Sequence, residues 1–237
     1  MPERRQHRFQ WVILFGGMLL AFGGVEARAD PYELYGTARK HFKKRQYKKA
    51  LGILKRVLAA KPSYKSAHAL IGHCYRRLGN NAQAAKHYEI VLRAYPKRAD
   101  LWDNLGVAYF RLRNYKKAAW AFKKELALKP KKMAIYRSLY LVYKVQGDYA
   151  SAVKYLKKAL KVKPNNVAIL SNLGAMYSKM KKHAEALKVA KKVVRLAPKK
   201  ALYHYRLGVA LRRSRLYKKA VAAYEKVVQL KPSFPPA

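Results

Sequence analysis

The chain has 237 residues, 51% of them apolar, and carries 54 Lys plus Arg against 11 Asp plus Glu, a formal charge of +43. Solvated surfaces usually mix both signs, so this excess predicts affinity for polyanions, acidic proteins or anionic lipid that weakens with salt. A single cysteine, Cys74, rules out an intramolecular disulfide and a cysteine-based zinc site, and its place in a predicted helix marks it as a packed core thiol.

In chain order the first segment reads as an address. Arg4, Arg5 and Arg8 precede an uncharged apolar stretch over residues 9–25, and Ala27-Arg28-Ala29 follows. A basic start, an apolar middle and a small-x-small exit are the parts of a secretory signal peptide, with cleavage expected after Ala29. The alternative is an uncleaved inner-membrane anchor, although the stretch falls short of the ~20 residues that span a bilayer. Either way the remainder is expected outside the cytoplasm, periplasmic or secreted, which makes nucleic acid a poor partner for an exported form.

Beyond residue 30 a fixed period takes over. Prolines stand at Pro62, Pro96, Pro130, Pro164, Pro198 and Pro232, each 34 residues after the last. Ala50, Ala84, Ala118, Ala152, Ala186 and Ala220 keep the same step, as do Leu54, Tyr88, Phe122, Leu156, Ala190 and Tyr224. Apolar residues three and four apart, such as Trp102, Leu105 and Tyr109, make one stripe of a helix. Small residues suit close helix crossings, aromatic ones fill the space between, and proline stops each second helix. No such unit hides its stripe alone, so neighbours must stack. There is no strand-like alternation and no linker. The expected layout is 1–29 signal or anchor, six repeats (31–64, 65–98, 99–132, 133–166, 167–200, 201–234) and a 235–237 tail.

The third unit shows the pattern most fully: Trp102, Leu105-Gly106, Tyr109, Ala118, Phe122 and Pro130. It resembles the tetratricopeptide repeat (TPR) family, and the resemblance extends over residues 31–234. The Gly column recurs at Gly72, Gly174 and Gly208, with Ala38 and Tyr140 as departures. The resemblance implies an all-α, α-α superhelical solenoid of helical hairpins. Pentatricopeptide arrays, which read RNA, have a longer unit and lack the Leu-Gly-x-x-Tyr core.

The resemblance also implies that the first helix of each hairpin lines a concave groove. On this chain that places Tyr35, Arg39, Arg76, Arg77, Phe110, Arg111, Arg137, Asn172, Arg206, Arg212 and Arg213 there. Cations mixed with aromatics suit an acidic, partly extended protein segment, because Arg offers forked donors to carboxylates and rings offer apolar contact. Some TPR proteins grip a terminal carboxylate. Arg137, Asn172 and Arg206 stand at matching places, but Leu141 and Leu202 take two others, so that clamp is incomplete. Further basic pairs, such as Lys116-Lys117 and Lys157-Lys158, repeat along the chain and extend the case for an anionic membrane or envelope polymer. Val221 and Val228, near the end of the last repeat, suggest self-association through it.

An enzyme is not expected. The acids after residue 29, among them Glu89, Asp148, Glu185 and Glu225, are scattered, and the histidines show no metal-ligand spacing. No phosphate loop or nucleophile motif stands out, and no cofactor is expected. The expected function is an envelope scaffold or adaptor, with polyanion binding as the alternative (RNA or DNA in a cytoplasmic form).

Overall fold

Asp30 starts the first helix by accepting a hydrogen bond from the Tyr32 N–H at 3.2 Å, with Pro31 at the position where a missing amide hydrogen costs nothing. The computed structural model describes residues 30–233, so the expected signal segment and the tail lie outside the described residues. Twelve α-helices follow one another among those residues: α1 Pro31–Lys43, α2 Tyr47–Ala60, α3 Lys65–Arg77, α4 Asn81–Ala94, α5 Ala99–Arg111, α6 Tyr115–Leu128, α7 Met133–Val145, α8 Tyr149–Val162, α9 Val167–Lys179, α10 His183–Leu196, α11 Ala201–Arg213 and α12 Tyr217–Leu230. They alternate between 13 and 14 residues. The described residues contain no strand.

The chain divides into two compact units at Ala67/His68. In the first, α1 and α2 bury Ala38, Ala50, Leu51, Leu54 and Val57. The Tyr64 ring lies 5.4 Å from Tyr32 and 5.1 Å from Tyr35, and the Lys61 ammonium donates to the Tyr32 hydroxyl.

The second unit carries the remaining hairpins, and an extended apolar cluster runs from Ala84 through Trp102, Leu105, Phe122 and Leu139 to Ala159. The glycine column is a close-approach column. A methyl group added at Gly72, Gly106 or Gly208 would lie 2.6, 2.6 or 2.5 Å from the ring of Tyr88, Phe122 or Tyr224. Contacts that short are forbidden, so a ring sixteen positions on enforces glycine. Cys74 is fully buried, as expected, and burial pushes its thiol pKa up to about 12, which keeps it protonated and unreactive.

The proline column does more than stop helices. The Trp102 indole N–H donates to the Pro96 carbonyl at 2.7 Å, and the Tyr136 hydroxyl to the Pro130 carbonyl at 2.6 Å. A His204 ring nitrogen sits 2.7 Å from the Pro198 carbonyl. Each ties the start of a hairpin to the turn before it, which gives His204 a second reason to occupy the tryptophan column. Within each hairpin the turn uses one left-handed residue. Two are Gly79 and Gly147 (φ 82° and 76°), and four are cations: Arg45, Arg113, Lys181 and Arg215 (φ 58–60°).

Candidate partner-binding site

The helix that opens each hairpin presents its polar stripe through residues spaced three, four and seven apart, so Arg206 and Arg213 share one face of α11. Arg206 is half-buried and donates to the Ser171 hydroxyl on α9. Two turns further on, exposed Arg213 reaches the Ser178 carbonyl on α9 at 3.3 Å. These two guanidinium groups frame a cavity of about 290 Å³ with an apolar floor formed by Gly174, Ala186, Val189, Ala190, Val193, Val209 and Ala210. Leu170 and Ala175 with the polar residues Ser171, Ser178, Lys179, Tyr203 and Tyr205 complete the wall.

A second cavity, about 650 Å³, lies between α7 and α9 and is lined by Arg137, Tyr140, Leu141, Lys144, Ile169, Asn166 and Asn172 among others. Its cations are solvated: Arg137 and Lys144 are exposed. Burial pushes the Tyr140 phenol above its usual range, while the Arg206 guanidinium pulls it back, so the electrostatic influence of Arg206 extends to this second cavity.

The expected site residues are therefore distributed. Arg137 and Asn172 share the α7–α9 cavity, whereas Arg206 and Arg213 line the other. The three clamp-like residues thus do not share a single cavity. Arg212 is exposed and lines neither. Arg77 and Arg111 are exposed at the ends of α3 and α5. Arg76 is half-buried with its Nε enclosed, and its charge lowers the cost of ionising Tyr88, whose phenol burial nevertheless raises to about 12. Phe110 is half-buried and edge-on to Tyr115 at 5.6 Å, so part of its surface is spent on the hairpin itself. In the first unit Tyr35 is half-buried against Tyr64 and Arg39 is exposed.

Sequence reasoning missed Ser171, Ser178 and the apolar floor around Ala190. The signal that could have found them is the pairing of the glycine column with the column sixteen residues later. It also missed how cations are accommodated. Side-chain ion pairs among the described residues include Arg98–Asp100 and Lys132–Glu125, both at 2.7 Å. Lysines also lie over tyrosine rings, among them Lys117 over Tyr109 (5.2 Å), Lys123 over Tyr143 (5.6 Å) and Lys157 over Tyr177 (5.9 Å). Exposed cation–π contacts contribute roughly 0.5–1 kcal/mol each, so the tyrosines carry part of the burden that acids usually carry.

Tandem hairpins with this column set, in which opening helices line small basic cavities, define the molecule as a TPR protein of the all-α solenoid class. A family model described as the C-terminal domain of cilia and flagella-associated protein 70 matches residues 14–233, and the chain belongs to that TPR family. Among curated proteins none matches the chain. Among solved structures, MamA from Desulfovibrio magneticus RS-1 is 22% identical with a TM-score of 0.60, covering 73% of this chain and 97% of that one. YrrB, described as a TPR protein with an unusual peptide-binding site, is 18% identical with a TM-score of 0.61, over 76% and 93%. The C-terminal part of a TPR repeat-containing protein from Cytophaga hutchinsonii is 18% identical with a TM-score of 0.69, over 83% and 78%. At these identities the structures share the fold.

Proposed function

We propose that this protein is a non-catalytic scaffold of the cell envelope, binding an acidic, partly extended segment of a partner protein along the opening helices of its hairpins. The observation that carries this reading is the pair of cavities along α7, α9 and α11, where Arg137, Lys144, Arg206 and Arg213 accompany Tyr140 and Tyr205. Forked guanidinium donors match carboxylates, and the rings and aliphatic walls take up the apolar parts of such a segment. Arg76, Arg77, Phe110, Arg111, Asn172 and Arg212 extend the surface, and Tyr35 and Arg39 offer the same chemistry on the first unit. The shared fold with YrrB, a TPR protein with an unusual peptide-binding site, supports the assignment. The export reading of residues 1–29 supports the envelope location.

The alternative is a general polyanion binder for anionic lipid or envelope polymer, favoured by the +43 charge. Val221 and Val228, 55% and 61% exposed on α12, support self-association through the last repeat as an additional contact. Fluorescence anisotropy with a labelled glutamate- and aspartate-rich peptide, in competition with heparin, separates the two readings. Arg206→Ala with Arg137→Ala is expected to weaken the peptide by about tenfold or more, tenfold being the low end for one charge-assisted contact. Removal of the distant pair Lys116-Lys117 is expected to change it little. Equal, gradual losses from both variants, tracking heparin binding, would favour the polyanion binder.

A further inference from the structure

Each hairpin must fill the space where its opening helix crosses its closing one, and the residues at the glycine column and sixteen positions later share that task. The pairs are Ala38 with Leu54, Gly72 with Tyr88, Gly106 with Phe122, Tyr140 with Leu156, and Gly208 with Tyr224. Every one contains at least one large side chain. Where Tyr140 replaces glycine, the partner falls to leucine, so the exchange conserves bulk. The fifth hairpin breaks the pattern, since Gly174 pairs with Ala190. Nothing from elsewhere restores the volume. A methyl group added at Gly174 would meet the Val189 side chain only at 3.5 Å, an ordinary contact, where three other hairpins crowd a ring to 2.5–2.6 Å. The vacated volume is the 290 Å³ cavity between α9, α10 and α11.

We propose that this gap is a binding pocket for one phenylalanine-sized apolar side chain of the partner's segment, with Arg206 and Arg213 receiving a carboxylate beside it. The inference rests on the scaffold reading above and names the element that would give it sequence preference. The part of it around Gly174, Val189, Ala190 and Val193 carries no polar side-chain atom, so water held there is easily displaced. The rim is cationic. Arg206 and Arg213 spend one donor each on α9, and a guanidinium carries further N–H groups that can turn to a carboxylate. Bridging α11 to α9 also keeps both groups at the mouth, which lowers the ordering cost of binding. An aromatic residue flanked by acids satisfies both halves of the site. An acidic segment without the ring satisfies only the rim.

The test uses the full chain and two labelled peptides, an acidic octamer with one central phenylalanine and the same peptide with alanine there. Wild type is expected to favour the phenylalanine peptide by about tenfold or more, the yield of burying one large apolar side chain. Ala190→Phe restores the ring found beneath Gly72, Gly106 and Gly208. It is expected to abolish that preference, leave the alanine peptide's affinity unchanged and melt no lower than wild type. Ala190→Leu, the residue type at Leu54 and Leu156, serves if phenylalanine disturbs the hairpin. Equal binding of both peptides to wild type, or a preference that survives in a folded Ala190 variant, overturns the pocket but leaves the groove reading standing. Failure of both peptides to bind wild type overturns the two together.

Discussion

The third and fifth hairpins are built on one plan and differ in how completely they carry it out. In the third, Phe122 fills the crossing above Gly106 and the Trp102 indole is tied to Pro96. Asn114 caps α6 by accepting from the Lys117 N–H at 3.1 Å, and buried Glu125 pairs with Lys132. In the fifth, Ala190 leaves the crossing open, and Leu170, in the tryptophan column, has no donor for a proline carbonyl. Lys182 begins α10 without a side-chain cap. The lesson is that the repeat tolerates the loss of several reinforcing devices in one unit. The fifth unit is where a cavity opens beside two arginines.

The largest way to test that contrast is to turn one hairpin into the other. Phe122→Ala recreates in the third unit the small pairing of the fifth, and Phe122 is 2% exposed within the extended apolar cluster. Denaturant unfolding is expected to show a loss of about 3–5 kcal/mol, the usual range for emptying a buried aromatic site. Ala190→Gly, in the hairpin that already has the gap, is expected to lose only about 1 kcal/mol, mainly as helix propensity. Comparable losses at the two positions would mean that the fifth crossing is as tightly filled as the third.

A smaller effect is expected from acid, and it separates the second hairpin from both. Desolvation lowers the His73 pKa from its ordinary 6.5 to about 4, reinforced by Arg76, and desolvation with His68 nearby does the same to His87. His73 stands 3.0 Å from the Tyr88 hydroxyl, and His87 stands 3.0 Å from His68. Because folding depresses these values, the unfolded chain binds more protons between pH 6.5 and 4. The stability contributed by the neutral rings is therefore full above pH 6.5 and lost as pH falls through about 4. The full shifts would be worth roughly 3 kcal/mol per ring, and because both rings are partly exposed and screened a loss of roughly 2–4 kcal/mol in total across that window is expected. Hydrogen exchange, corrected for intrinsic rates, should show it in α3 and α4, and His73→Gln with His87→Gln should flatten it. A loss shared equally by α5 and α6 would assign it to general charge repulsion instead.

Much of this was legible in the sequence because the period is exact: the proline, alanine and glycine columns place twelve helices and their buried stripes without reference to any contact. What they cannot show is compensation between columns. Ala190 is the one small residue of its own column, but that column does not say whether its partner makes up the lost bulk, and Tyr140 reads as a departure from glycine. Only the pairing of position with position sixteen later shows that Tyr140 with Leu156 conserves volume and Gly174 with Ala190 does not. The candidate site was legible as residue types on opening helices, but its partition was not. Whether Arg206 joins Arg137 or Arg213 depends on helix crossings that set distances, and Phe110 and Tyr35 are partly consumed by neighbouring rings. The turn column escaped as well. Gly79 and Gly147 are expected at positive φ, but Arg45, Arg113, Lys181 and Arg215 hold the same conformation against their preference.

That last column supplies the smallest prediction and the one that refines the comparison most. Lys181→Gly relieves a left-handed side-chain conformation, and Lys182→Asn supplies the cap that Asn80, Asn114 and Asp148 already give. Each is expected to stabilise the fifth hairpin by up to about 1 kcal/mol, readable as a rise in denaturation midpoint. The same glycine exchange at Arg113 should gain as much, whereas Asn114→Ala should lose about 1 kcal/mol. The stiffened fifth hairpin then separates two reasons for its weak construction. If the pocket works by shape, the ratio of phenylalanine to alanine peptide binding stays at its wild-type value in Lys181→Gly/Lys182→Asn, even though the lost charges weaken both peptides together. If that ratio collapses while Ala190 is untouched, the hairpin must open to admit its ligand. The missing cap would then belong to the binding mechanism rather than being an incidental loss of reinforcement.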